Sequence, residues 1–202
     1  MTNSSLNQDA LPVFSTIQPE QIEPVLQELM TENRNQLYAL LKNNNVYTWE
    51  NLFLPLEEMD NRLNKMWSPF SHLHAVMESE ELRAVYNNCL PLLTEYHTEF
   101  MQNEVMYRAV ESVADSPGFK TFTSQQTKAI KNQLRDFRLA GVNLTIEDKV
   151  RFLELQKKLS RLSTQFGENV LDATQGWTLH VTDGDDLKGL PENTIEIARQ
   201  TA

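Results

Sequence analysis

The amino-acid sequence predicts an all-α fold, built from at least five long, kinked, antiparallel helices. Three observations carry this. Apolar residues recur at three-and-four spacing through most of the chain, the mark of a helix with one buried face. The segments so patterned are bounded by capping residues. The 202 residues also include only 6 glycines, roughly 3% against a usual ~7%, which leaves few tight turns.

The elements follow in order. The first dozen residues are polar, and residues 1–18 are read as a loose N-terminal segment. From Pro19, a residue suited to a first helical position, Ile22, Val25, Leu26, Leu29, Met30, Leu37, Leu40 and Leu41 form one stripe. Pro24 restarts or kinks that helix, and the run from Asn43 to Asn45 ends it. A second helix begins near Thr48, with Leu52, Leu56, Met59, Leu63, Met66, Trp67, Leu73 and Met77 inward and a kink expected at Pro69. Ser79 caps a third helix, with Glu80 and Glu81 at the positive end of its dipole. Its stripe is Leu82, Val85, Tyr86, Cys89, Leu92, Leu93, Tyr96 and Phe100, and Pro91 marks another kink. The pattern resumes at Met106, Tyr107, Val110 and Val113 and stops at the loop of Pro117 and Gly118.

Thr123 to Gln126 has the form of a capping box. It opens a helix with Ile130, Leu134 and Phe137 inward, and Gly141 stands where a left-handed residue closes one. Thr145 caps the next helix, which is expected to run to about Thr174 with Leu155, Leu159, Leu162, Phe166 and Val170 along it. Methionines and aromatics at this spacing read as core. At 177–182 the period changes to two, with Trp177, Leu179 and Val181 alternating with Thr178, His180 and Thr182. One short strand is expected there, followed by a turn at Asp183-Gly184. A last helix starts at Pro191 and runs about three turns without a closing cap. It reads as a segment that continues past Ala202. The domain reading is therefore a helical domain over 19–184, with 185–202 as the start of a continuation.

Composition narrows the function classes. A net charge of −10 opposes binding to nucleic acid or an anionic membrane surface. No apolar run approaches the ~18 residues of a membrane span, and the first residues show no secretory signal. With Cys89 as the one cysteine, no intrachain disulfide forms, which suits a reducing, cytoplasmic compartment.

The chemistry-bearing residues are few. His72 and His74 are two apart, which on a helix sets them roughly 200° apart, whereas a helical zinc pair needs i and i+4. His97 and His180 have no partner at ligand spacing. Cys89 lies on an apolar stripe and reads as core. The glutamate pairs at 57 and 80 read as solvated faces and caps. The run Asp183-Gly184-Asp185-Asp186 lacks the register of a calcium loop. The residues alone assign no catalytic, cofactor-binding or metal-ligating position in this chain.

Three stretches, taken together, resemble the N-terminal region of the thimet oligopeptidase family of zinc metallopeptidases. They are YTWENLFLPLEEMDNRLNKMWSPFSHLHAVMESEELRAVYNNCLPLLTEY at 47–96, LRDFRLAGVNL at 134–144 and LSTQFGENVLDATQGWTLHVTDGDDLKGLPE at 162–192. The resemblance implies a longer parent chain, almost wholly helical, with two halves flanking a channel that admits short peptides. It implies a zinc ion on the channel floor, held by an H-E-x-x-H helix and a later glutamate. This sequence has no H-E-x-x-H at any position, so the zinc ligands and catalytic groups are expected in a C-terminal part, the implied partner of this region. The region itself is then one wall of the channel, limiting substrate size, and inactive alone. A stand-alone helical interaction module is the competing reading. The reading frame past Ala202 separates the two.

Overall fold

The computed structural model describes residues 11–77 and 79–201, so most of the loose segment expected over 1–18 lies outside the described residues. The described part of that segment contains one 3-10 turn, Phe14–Thr16. Among the described residues seven α-helices follow: α1 (Pro19–Asn43), α2 (Leu54–Val76), α3 (Glu80–Met101), α4 (Glu104–Ala114), α5 (Ser124–Leu139), α6 (Ile146–Gln175) and α7 (Glu192–Thr201). Two compact units divide the chain, Met1–Arg161 and Leu162–Ala202.

Local chemistry sets the helix ends. Pro19 opens α1. At its other end, Asn44 Nδ2 donates to the Leu40 carbonyl at 2.8 Å and the Tyr47 hydroxyl to that of Leu41 at 3.0 Å, which satisfies carbonyls that a helix end leaves orphaned. Thr48 and Asn51 form a reciprocal capping box over the wide turn Trp49–Phe53 that leads into α2. Ser79 Oγ accepts from the Leu82 amide at 3.2 Å, as its position predicts. Asn103 caps α4 through Met106 N at 3.0 Å. The capping box of α5 is complete, Gln126 N to Thr123 Oγ1 and Thr123 N to Gln126 Oε1. Gly141 has φ +83°, the left-handed conformation that ends the α5 segment. Thr145 caps α6 through the Asp148 amide at 3.2 Å.

In the first unit α1, α2 and α3 pack up, down and up. Asn33 of α1 meets Met59 and Arg62 of α2, and His74 near the far end of α2 meets Tyr86 early in α3. One apolar cluster unites Ile22, Leu26 and Met30 of α1, Leu63, Met66 and Phe70 of α2, and Cys89 and Tyr96 of α3. A second gathers Leu37, Leu52, Phe53, Met59 and Met101 around α4 and α5, with Met106, Val110, Val113, Ile130 and Phe137 at its centre. Each fully buried large side chain contributes about 1.5–3 kcal/mol.

The second unit comprises the end of α6, residues 176–183, a 3-10 turn at Gly184–Leu187 and α7. The short strand expected near Trp177 to Thr182 does not form. A strand needs a neighbour to receive its backbone hydrogen bonds, and the described residues contain no other strand. The period-two pattern at Trp177, Leu179 and Val181 therefore stays without a sheet, and all three side chains are exposed. A second correction concerns α6. Its apolar stripe reads as core in the sequence, yet no residue of α6 is buried.

Candidate functional site

The fold sends the two close histidines of α2 to different neighbours. His72 is exposed, with its ring 5.6 Å from that of Phe14. His74 stacks on Tyr86, with ring centroids 4.0 Å apart and planes 6° from parallel. The angular offset of i and i+2 on a helix produces this divergence. His97 is exposed on α3, and His180 is exposed in the loop before Asp183. Among the described residues no three His, Cys, Asp or Glu side chains group so as to hold a metal ion.

Cys89 is fully buried in the cluster of α1, α2 and α3. Burial first, and the Glu23 carboxylate second, push its thiol up to about 11. The buried thiol is therefore a poor source of thiolate. Asp183 caps the turn it begins, accepting from the Asp185 amide at 2.9 Å, and Asp185 pairs with Lys188 at 3.0 Å.

Two features remain that can act on something else. The first is polar and interior. Asn33, buried on α1, donates from Nδ2 to the Met59 carbonyl at 3.2 Å and to the Tyr96 hydroxyl at 3.1 Å. Its Oδ1 accepts from Arg62 Nη2 at 2.9 Å, and the same Nη2 reaches Gln36 Oε1 at 2.7 Å. Arg34 lies over the Tyr96 ring at 5.3 Å and pairs with Glu99 at 2.8 Å. Burial raises the Tyr96 hydroxyl above its usual range, against the opposing pull of Asn33 and Arg34. The sequence signal for this node was a polar residue inside an apolar stripe, three after Met30 and four before Leu37.

The second feature is apolar and exterior. Within the first unit, α6 is held by polar contacts: Lys149 Nζ to Glu104 at 2.7 Å, Lys157 to Glu95 at 2.7 Å, and Thr94 to Ser160 at 3.3 Å. Leu155 and Leu159 are more than half exposed there. In the second unit Leu162, Phe166 and Val170 recur every four residues on one face of α6, and Phe166 is 72% exposed. Trp177, at 69%, and Leu179 are exposed in the same unit.

Capped helices around a polar tie, with exposed apolar side chains on the last long helix, define a helical scaffold domain. A family model described as "Neurolysin/Thimet oligopeptidase, N-terminal domain" matches residues 26–149, and the chain belongs to that family. It is 45% identical over its whole length to oligopeptidase A of Haemophilus influenzae, covering 30% of that protein. It is 42% identical to oligopeptidase A of Escherichia coli K12, again over all of this chain and 30% of the relative. The organellar oligopeptidase A of Arabidopsis thaliana is 28% identical and is covered to 25%. The chain thus spans about 30% of the length of the bacterial relatives it matches.

Proposed function

We propose that this chain is the non-catalytic N-terminal part of a cytoplasmic zinc metalloendopeptidase that hydrolyses short peptides. Its role there is to form one wall of the substrate channel and to restrict substrate size. The observation that carries the reading is the match of the entire chain to 30% of two bacterial oligopeptidases A. The described residues do not fit a zinc site: His72 and His74 diverge, and no group of three His, Cys, Asp or Glu side chains gathers among them. In the proposal the ion and the groups that act on the peptide belong to the C-terminal part.

The exposed apolar face of α6 supports the same reading. Interfaces between domains of one chain bury ~600–1,500 Å². In the second unit Leu162, Phe166 and Val170, with Trp177 and Leu179, supply apolar side chains for such a contact. The C-terminal part is the partner proposed to cover them. The cytoplasmic assignment draws on the single, buried cysteine.

The test takes the natural gene. An open frame continuing past Ala202 into H-E-x-x-H, with a product that cleaves a short fluorogenic peptide and loses that activity to a chelator, meets the proposal. It should also spare the same peptide displayed on a folded protein. A stop codon after Ala202 in the natural gene would sink it and leave the stand-alone interaction module.

A further inference from the structure

The polar node lies where two apolar clusters meet along the same three helices. On one side lie Ile22, Leu26 and Met30 with Met66, Phe70 and Cys89; on the other, Leu37 with Met59 and Met101. Asn33 is the buried polar residue of α1 and lies between Met30 and Leu37. Tyr96 and Arg62 meet it from α3 and α2. We infer that Asn33, Tyr96 and Arg62 form a register lock, a conformational device that fixes the axial position of α1 against α2 and α3.

Buried methionines make the apolar layers interchangeable. Met30, Met59, Met66, Met101 and Met106 are all buried in these clusters. Methionine is unbranched and adaptable, so it fills a neighbouring gap nearly as well as its own and specifies position poorly. A slip of one helical turn, ~5.4 Å, therefore replaces apolar neighbours by other apolar neighbours. The node does not tolerate such a slip. It would part the Asn33 amide from the Tyr96 hydroxyl and set both against hydrocarbon, and buried polar groups are costly without partners; Arg62, held at the edge of the node by Gln36 and Glu32, would lose Asn33 as well. The node is not arranged for maximum stability, since Arg62 Nε is buried without an acceptor among the described residues. Buried polar groups of this kind are best attested as devices that select one register. The inference is independent of the peptidase reading, because it concerns only how this chain holds its own helices.

The decisive variant replaces the whole layer by apolar residues of similar shape: Asn33→Leu, Arg62→Met and Tyr96→Phe together. Spin labels at Glu28→Cys on α1 and His97→Cys on α3, both exposed positions, report the register in a Cys89→Ala background. With the node intact, one narrow distance distribution is expected. In the triple variant, helical circular dichroism and cooperative unfolding persist, with a midpoint no lower than the parent's, and a second distance component appears, displaced by up to ~5 Å. A single narrow distribution in the triple variant overturns the inference, because packing alone then sets the register. Loss of helix or of cooperative unfolding overturns it too, because the node is then a source of stability.

Discussion

Asn33 donates from Nδ2 to the hydroxyl of Tyr96 across 3.1 Å, so a hydrogen bond between two buried side chains joins α1 to α3 inside the first unit. Asn33→Ala removes three hydrogen bonds at once, those to the Tyr96 hydroxyl, the Met59 carbonyl and Arg62 Nη2, and leaves the buried hydroxyl without its donor. Leaving buried polar groups unsatisfied costs ~1–3 kcal/mol, so a loss of about 2–3 kcal/mol is expected. Tyr96→Phe removes only one partner and should cost about 1 kcal/mol. Urea titrations of the two variants, read against the parent, check the order.

Glu104 and Lys149 carry a pH dependence. The Lys149 hydrogen bond, then its charge, holds the Glu104 carboxyl below its ordinary 4.5. A folded-state value below the unfolded one means that the contribution is present above about 4.5 and lost as pH falls through the depressed value. The melting temperature of Glu104→Gln should therefore lie below the parent's at neutral pH and converge on it in acid. A gap that widens on acidification contradicts the pairing.

The Cys89 thiol sets an alkaline limit and a labelling rate. Its folded value is raised from 9.0 to about 11. Its stabilising effect is complete below the unfolded value and fades as pH climbs from 9.0 toward about 11. At pH 8 a thiol reagent should modify the native chain slowly and the urea-unfolded chain at the rate of a free cysteine. Fast native labelling would place Cys89 outside the core.

Two phenylalanines should respond oppositely to truncation. Phe137 is fully buried between α4 and α5, and Phe137→Ala should cost about 3–5 kcal/mol. Phe166 is largely exposed, and Phe166→Gln should stay within about 0.5 kcal/mol in this chain. In the longer protein proposed above, with the C-terminal part covering that face, the same change should lower stability further. Denaturant midpoints in both contexts provide the comparison.

Gly141 ends the α5 segment in the left-handed region, and a Cβ there would meet Leu144 Cδ1. Gly141→Ala should destabilise by about 1–2 kcal/mol from the backbone conformation alone, with the clash in addition. Replacing the half-buried Ala140 next to it by glycine is the control, read by thermal melting.

Where α3, α5 and α6 begin, and where the α5 segment closes, was legible in the sequence. Ser79, Thr123 and Thr145 cap as their types and positions predict, and Gly141 closes as expected. Caps act within one turn, so a few adjacent residues contain the whole interaction. The divergence of His72 and His74 was legible for the same reason, since helical geometry alone sets it. Burial was not. The stripes of α1 and α6 look alike in sequence, yet Leu26 is fully buried and Phe166 lies open, because burial depends on which surface arrives opposite a stripe. The strand expected at 177–182 failed on the same ground, since no local pattern supplies a partner strand. Asn33 looks like an interruption of an apolar stripe until Tyr96, 63 residues later, comes within 3.1 Å. A hydrogen bond between distant residues requires the helices to have packed, so only the tertiary structure could decide that this asparagine is a partner.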